Sequence, residues 1–298
     1  MLPTSTDLKT LVLPRATPIQ HFKIAGMFED EYCALPEEFK PFYEYDEENR
    51  QYTLNELEWL RWRKHGPYHR HPDDARYIKH TLGGSDIAAL FDGSALSKSL
   101  HLYDGQHGSN YKCKMELYYE KIEKKLPLAE KKDTDLFWCG HNEEPSIRSI
   151  FKKRYCDDHP LDIVKVINDC HMYQCGIRDK YGALLYPYVL CDLDGLVQIN
   201  GITGILECKT CNKNSEDYKL WVKKIVPLKY YLQICWYMLC MNMPYAYICA
   251  KWGLSLSESC YIYVERDFAV EKLLLDVAKD FIDCVDKHIP PEPDDQNI

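Results

Sequence analysis

The sequence predicts an α/β (α+β) domain, a central mixed β-sheet flanked by helices, with an N-terminal extension. Two observations predict it. Helical patterns come first along the chain, then a meander of short strand patterns, then a helix and two further strands. The 298 residues are 46% hydrophobic and 28% charged, which is enough apolar material for one full core and too much for a disordered chain.

Residues 1–53 hold Pro3, Pro14, Pro18, Pro36 and Pro41 and show little periodicity, so an arm or small appendage is expected. Within it, residues 43–53 alternate around Asp46-Glu47-Glu48-Asn49 and predict a hairpin. The main domain is expected over 54–289. It opens with a helix at 54–64, ended by Gly66-Pro67, and a polar loop at 65–74. Gly83-Gly84-Ser85-Asp86 then enters a short apolar helix, with Ser85 or Asp86 as its N-cap. Residues 93–109 read as a Gly/Ser-rich loop. Leu117, Tyr118 and Ile122 mark an amphipathic helix over 112–125. Another helix is expected over 143–155, with Pro145 in its first turn.

Strands follow at 163–167, 171–175, 188–192, 196–199 and 204–209. A helix at 230–241 stops before Pro244, and strands at 245–252 and 260–265 precede a last helix at 269–287. The tail at 290–298 is polar and Pro-rich and is expected to be disordered.

The net charge of −9 does not advertise a nucleic-acid ligand, but its distribution is uneven. Residues 28–58 carry eleven acids against Lys40 and Arg50. Residues 61–80 reverse the sign with Arg61, Arg63, Lys64, Arg70, Arg76 and Lys79 plus four histidines. Such a run is either a solvated face or a track for phosphates. No apolar run reaches membrane-spanning length and the N-terminus is polar, so a cytoplasmic protein with no membrane partner is expected. Fourteen cysteines then read as reduced, mostly buried thiols. Cys208 and Cys211 form a C-x-x-C without a second pair at zinc-site spacing.

The segment 192–210, DLDGLVQINGITGILECKT, carries the chemistry. Asp194 opens a Gly turn, and a second turn at 200–204 leads into a hydrophobic strand bearing Glu207 and Lys209. Alternate residues of a strand share a face, so Glu207 and Lys209 stand together, and Asp194 reaches them from the paired strand. Cys208, between them, points to the other face. Two carboxylates and an ammonium at one point suit metal-dependent phosphodiester hydrolysis, in which carboxylates hold a divalent cation and the lysine orients or deprotonates water. A surface hairpin with a salt bridge is the alternative, but the apolar approach Gly204-Ile205-Leu206 suggests burial, and buried charge needs a reason.

Four segments in order resemble the YqaJ-type viral recombinases, relatives of phage lambda exonuclease in the PD-(D/E)XK nuclease superfamily. They are 83–91 (GGSDIAALF), Gly140-x₃-Glu144-x₃-Arg148, Asp194-Gly195 with Glu207-Cys208-Lys209, and Trp221 followed by Pro227-x₂-Tyr230-x₂-Gln233 and Tyr237. The resemblance spans about residues 54–252 and implies a restriction-endonuclease-like core. It implies a Mg²⁺-dependent DNA exonuclease, with Mn²⁺ able to substitute, that degrades one strand from a duplex end 5′ to 3′. The product would be a single strand for an annealing partner of the RecT/Beta type, and the enzyme would be a homo-oligomer, as the toroidal trimers of lambda-like relatives are.

Under the resemblance, Asp194, Glu207 and Glu144 are the metal carboxylates, the Cys208 backbone carbonyl is a further ligand, and Lys209 positions or activates water. Glu143 competes with Glu144 for its role. Ser85, Gln233, Tyr237, Arg148, Arg76 and Lys79 are the implied contacts to DNA phosphates.

Two departures stand out. Asp192-Leu193 replaces the Ser/Ala-Pro that relatives often carry before Asp-Gly, placing an extra carboxylate where it could join a metal site or repel a 5′-phosphate. Residues 65–74 look inserted, so Arg76 or Lys79, or Arg61 or Arg63, must supply the arginine expected before GGSD. Two other functions remain open at this point. One is a CRISPR-associated type of exonuclease, or an endonuclease, of the same superfamily. The former carries an iron–sulfur cluster on four cysteines, and Cys235, Cys240, Cys249 and Cys260 lack its tight spacing, so no such cluster is expected. The other is a non-catalytic DNA-end-binding or interaction protein on the same scaffold.

Overall fold

The computed structural model describes residues 17–21, 43–46, 51–54, 81–91, 113–123, 131–167, 171–177, 179–181 and 184–292, together with Cys33 and Lys40. The expected helix at 54–64, the loops at 65–74 and 93–109, Arg76, Lys79 and most of the acidic arm and tail lie outside these residues.

A five-stranded mixed sheet forms the centre. Its strands are β4 (Val164–Ile167), β7 (Leu196–Ile199), β8 (Ile202–Thr210), β9 (Tyr245–Lys251) and β10 (Ser259–Glu265), in the spatial order β10-β9-β8-β7-β4. Only β8 and β9 run parallel; the other pairs are antiparallel. A parallel pair needs a crossover. Here it is made by two helices, α4 (Glu216–Val222) and α5 (Leu228–Met241).

A second sheet joins β1 (Thr17–His21), β5 (His171–Gln174) and β6 (Leu190–Asp192), all antiparallel. The N-terminal extension therefore lends a strand to the main domain. The hairpin expected at 43–53 is present as β2 (Tyr43–Asp46) and β3 (Gln51–Leu54). The remaining helices are α1 (Gly84–Ala89), α2 (Lys114–Glu123), α3 (Lys131–Asp158) and α6 (Phe268–Lys287). No helix among the described residues is long and apolar enough to cross a membrane.

The two faces of the central sheet bury different cores. On one, Leu232, Ile234, Cys235, Trp236, Met238 and Leu239 of α5 are fully buried with Ile205 and the apolar stripe of α6. Each such side chain contributes about 1.5–3 kcal/mol of transfer free energy. On the other, Ile147, Phe151 and Tyr155 of α3 recur every four residues and pack on Val197, Leu206, Cys208, Tyr245 and Tyr247.

Three sequence expectations change. The helix expected at 143–155 runs from 131 to 158, so Pro145 lies in its interior rather than its first turn. Proline there costs roughly 3 kcal/mol. The packing of Ile147, Phe151 and Tyr155 offsets that cost. The N-cap of α1 is Gly83, not Ser85 or Asp86. Asp86 sits in the first turn instead, where its Oδ2 accepts the Gly83 N–H at 3.2 Å and pairs with buried Lys121 at 3.1 Å. Finally, the turn into β8 is only Asn200-Gly201. Both residues have positive φ (49° and 85°), the signature of a two-residue hairpin, so β8 starts two residues early.

Candidate active site

Glu207 and Lys209 lie on the α5 side of β8, and Cys208 lies on the α3 side, as alternation requires. The Glu207 side chain is 1% exposed and that of Lys209 is 19% exposed. Lys209 Nζ donates to Glu207 Oε1 at 2.5 Å. Gln233 Nε2, from α5, donates to the same oxygen at 2.8 Å and to Tyr237 Oη at 2.9 Å. The other oxygen, Glu207 Oε2, is buried with no hydrogen-bond partner. A buried carboxylate oxygen left this way costs free energy unless a cation or proton meets it.

Asp194 reaches the same place from the turn before β7. Its Oδ2 accepts the Cys208 N–H at 2.8 Å, and its main chain is tied to α3, where Arg148 donates to the Asp194 carbonyl at 2.6 Å. In a strand, N–H and C=O of one residue leave the same edge. The Cys208 carbonyl therefore faces the Asp194 side of β8.

Glu144 is buried on α3, with Oε2 3.6 Å from Arg148. Glu143 is turned elsewhere: it pairs with Lys251, at the end of β9, at 2.5 Å. The geometry thus separates two neighbours that the sequence left in competition. Asp192 closes β6 opposite Met172, in the other sheet.

The electrostatics follow from burial. Desolvation first, then the Asp194 charge, pushes the Glu207 carboxyl up from 4.5 to about 8, against the pull of Lys209. For Lys209, burial works against the charged form, but the Glu207 and Asp194 carboxylates outweigh it and hold the ammonium well above its usual range.

The walls of the site are set by close packing. A Cβ on Gly84 would stand 2.5 Å from Tyr237 Cε1 and 2.6 Å from Gln233 Cγ, so only glycine lets α1 approach α5 here. Trp236 Nε1 donates to the carbonyls of Leu82 and Leu190 at 3.2 and 3.0 Å, bolting the GGSD segment to β6. Ser85 is exposed on α1. Tyr230 belongs to the Pro227-x₂-Tyr230-x₂-Gln233 motif but was given no role in the sequence reading. The Tyr230 ring lies 5.2 Å from Lys209 Nζ and stacks on Trp221 at 5.8 Å. Its signal was available, because Tyr230 precedes Gln233 by three residues and so shares its side of α5.

A family model described as YqaJ-like viral recombinase domain matches residues 58–244, more than half of the chain. The chain belongs to the YqaJ-like viral recombinase domain family. Among solved structures it is similar to the alkaline exonuclease LHK-Exo from Laribacter hongkongensis. The complex of that protein with dAMP is 16% identical, over 78% of this chain and 93% of that one, with a TM-score of 0.48. Another structure of it is 14% identical over 70% and 89%, with a TM-score of 0.44. SSO0001 is 12% identical over 76% and 84%, with a TM-score of 0.35. No curated protein matches.

This YqaJ-like domain does not gather its carboxylates into a closed cage. Among the described residues, no group of three or more His, Cys, Asp or Glu side chains is placed to hold a metal ion. What fits a hard divalent cation is a smaller donor set: the orphaned Glu207 Oε2, the Asp194 carboxylate and the Cys208 carbonyl, all oxygen. The C-x-x-C is not a site, because Cys208 packs beneath α3 while the Cys211 thiol lies 3.2 Å from Ser215 Oγ.

Proposed function

We propose that this YqaJ-like domain is a divalent-metal-dependent deoxyribonuclease that hydrolyses one strand from a duplex DNA end. The observation that carries the reading is Glu207: a buried carboxyl with one oxygen held by Lys209 and Gln233 and the other unpartnered, beside Asp194. Family membership supports it. Asp194, Glu207 and the Cys208 carbonyl would hold Mg²⁺, with Glu144 completing the set through its flank on α3. The bound metal would lower the pKa of water and stabilise charge on the scissile phosphate.

The chain's own residues do the rest. Lys209 would orient or deprotonate the attacking water and stabilise phosphate charge. Gln233 and Tyr237 fix the Glu207 carboxylate in one rotamer and line the wall that faces the DNA backbone. Ser85, exposed beside them, contacts a phosphate, as do Arg76 and Lys79. The polarity is 5′ to 3′, the single strand left behind goes to an annealing protein, and the enzyme works as a homo-oligomer, in line with the resemblance. Asp192 lies two residues before Asp194 and disfavours a 5′-phosphate there.

The test is digestion of linear duplex carrying a 5′-phosphate or a 5′-hydroxyl, beside a closed circle, with Mg²⁺ or EDTA. Wild type is expected to degrade only the linear forms, only with Mg²⁺, and to accept the hydroxyl end at least as well. Lys209→Ala is expected to lose at least 100-fold in rate, on the order of one lost electrostatic contact, while still binding DNA. Full activity in that variant would remove the mechanism.

A further inference from the structure

Arg148 is the last position of the Gly140-x₃-Glu144-x₃-Arg148 motif, and a phosphate contact was expected of it. The structure turns it inward. Its side chain is 9% exposed, and the whole guanidinium lies between α3 and the turn before β7. NH1 stands 2.6 Å from the Asp194 carbonyl and 3.6 Å from Glu144 Oε2. Gly195 makes room for it, since a Cβ there would meet Arg148 Cδ at 3.2 Å and the Ile167 carbonyl at 3.1 Å.

We propose that Arg148 is a positioning residue that sets the spacing between Asp194 and Glu144, and does not contact DNA. The inference rests on the reading that these carboxylates serve a metal ion. Asp194 is clamped at both ends: its carboxylate by the Cys208 N–H and its main chain by Arg148. Glu144 is held to the same guanidinium one helical turn away. One guanidinium nitrogen faces both groups, and the planar guanidinium fixes its N–H directions where the ammonium of lysine, on a flexible stem, does not.

The experiment measures Mn²⁺ binding by calorimetry on the full chain without DNA, and DNA binding in EDTA across a salt series. Arg148→Met is expected to weaken Mn²⁺ binding about 10-fold or more, the usual loss when a residue behind a metal ligand is removed, and to keep the wild-type salt slope. Arg148→Lys should recover part of the Mn²⁺ affinity. Gly195→Ala, which keeps the charge but displaces the side chain, should weaken Mn²⁺ binding in the same direction and gives a second reading if Arg148→Met does not fold. Phe151→Leu, a buried change under α3, controls for lost stability and should leave Mn²⁺ affinity unchanged.

Arg148→Met with Mn²⁺ affinity within about twofold of wild type would overturn the inference alone. A salt slope reduced by about one would do so too, because that is the mark of a lost phosphate contact. A wild-type chain that binds no Mn²⁺ would overturn the metal reading and this inference with it.

Discussion

Glu207→Gln is expected to flatten the pH dependence of stability of the metal-free protein. Burial, and then the Asp194 charge, raises the Glu207 carboxyl from 4.5 to about 8. Between those values the folded protein holds a proton that the unfolded chain has released. The stability this proton contributes is complete below about 4.5 and is lost as pH rises through about 8. Each pH unit within the window removes about 1.4 kcal/mol. From about pH 5 to about pH 8 the loss is therefore about 4 kcal/mol, a large part of a domain's total stability. Glutamine has no such proton to lose, although it also removes one of the two carboxylates that hold the Lys209 proton. Urea titrations in EDTA at a series of pH values, read by tryptophan fluorescence, give both profiles. Wild type should fall relative to the variant as pH rises. Saturating Mg²⁺ should restore wild type, but not the variant, at the alkaline end. Parallel profiles for the two proteins would refute the assignment of a raised, buried carboxyl.

Further outcomes are expected at neighbouring positions. Glu144→Gln should lower nuclease activity at least 10-fold in a plasmid-linear digestion assay, whereas Glu143→Gln, which loses only the pair with Lys251, should stay within about twofold of wild type. Gly84→Ala should destabilise the protein by about 1–3 kcal/mol in the same urea titrations, since its Cβ would press on Tyr237 and Gln233, and should slow cleavage by tilting Gln233 off Glu207. Trp236→Phe should cost about 1–3 kcal/mol, because the buried carbonyls of Leu82 and Leu190 both lose the indole N–H, and Leu82 keeps only the Leu190 N–H.

The sheet was legible because its signals are local. Alternation fixes which side of β8 carries Glu207, although the turn before it was read as 200–204 and is only Asn200-Gly201. The side of α5 that meets Glu207 was legible from the Tyr230, Gln233 and Tyr237 spacing. What escaped depends on distant contacts. Pro145 looks like a helix start until the packing of Ile147, Phe151 and Tyr155 against the sheet is known. Asp86 looks like a cap until Lys121, thirty-five residues on, arrives to bury it. Arg148 looks like a free cation until the Asp194 main chain is placed beside it. Helix α4 was overlooked although Ser215, which accepts from the Tyr218 N–H, and the acids Glu216 and Asp217 announce its start. At seven residues it is too short to show a periodic stripe.

The hairpin turn at Asn200-Gly201 has a consequence for how this site can evolve. It sets the phase of β8, and the phase decides which side chains meet the substrate and which meet α3. One residue gained or lost between that turn and Leu206 would swap the two sets. Cys208 would then stand in the cleft, and Glu207 and Lys209 would be driven against Ile147 and Phe151. Substitutions can tune this strand one side chain at a time, but any change in its length short of two residues loses the chemistry and the core in a single step.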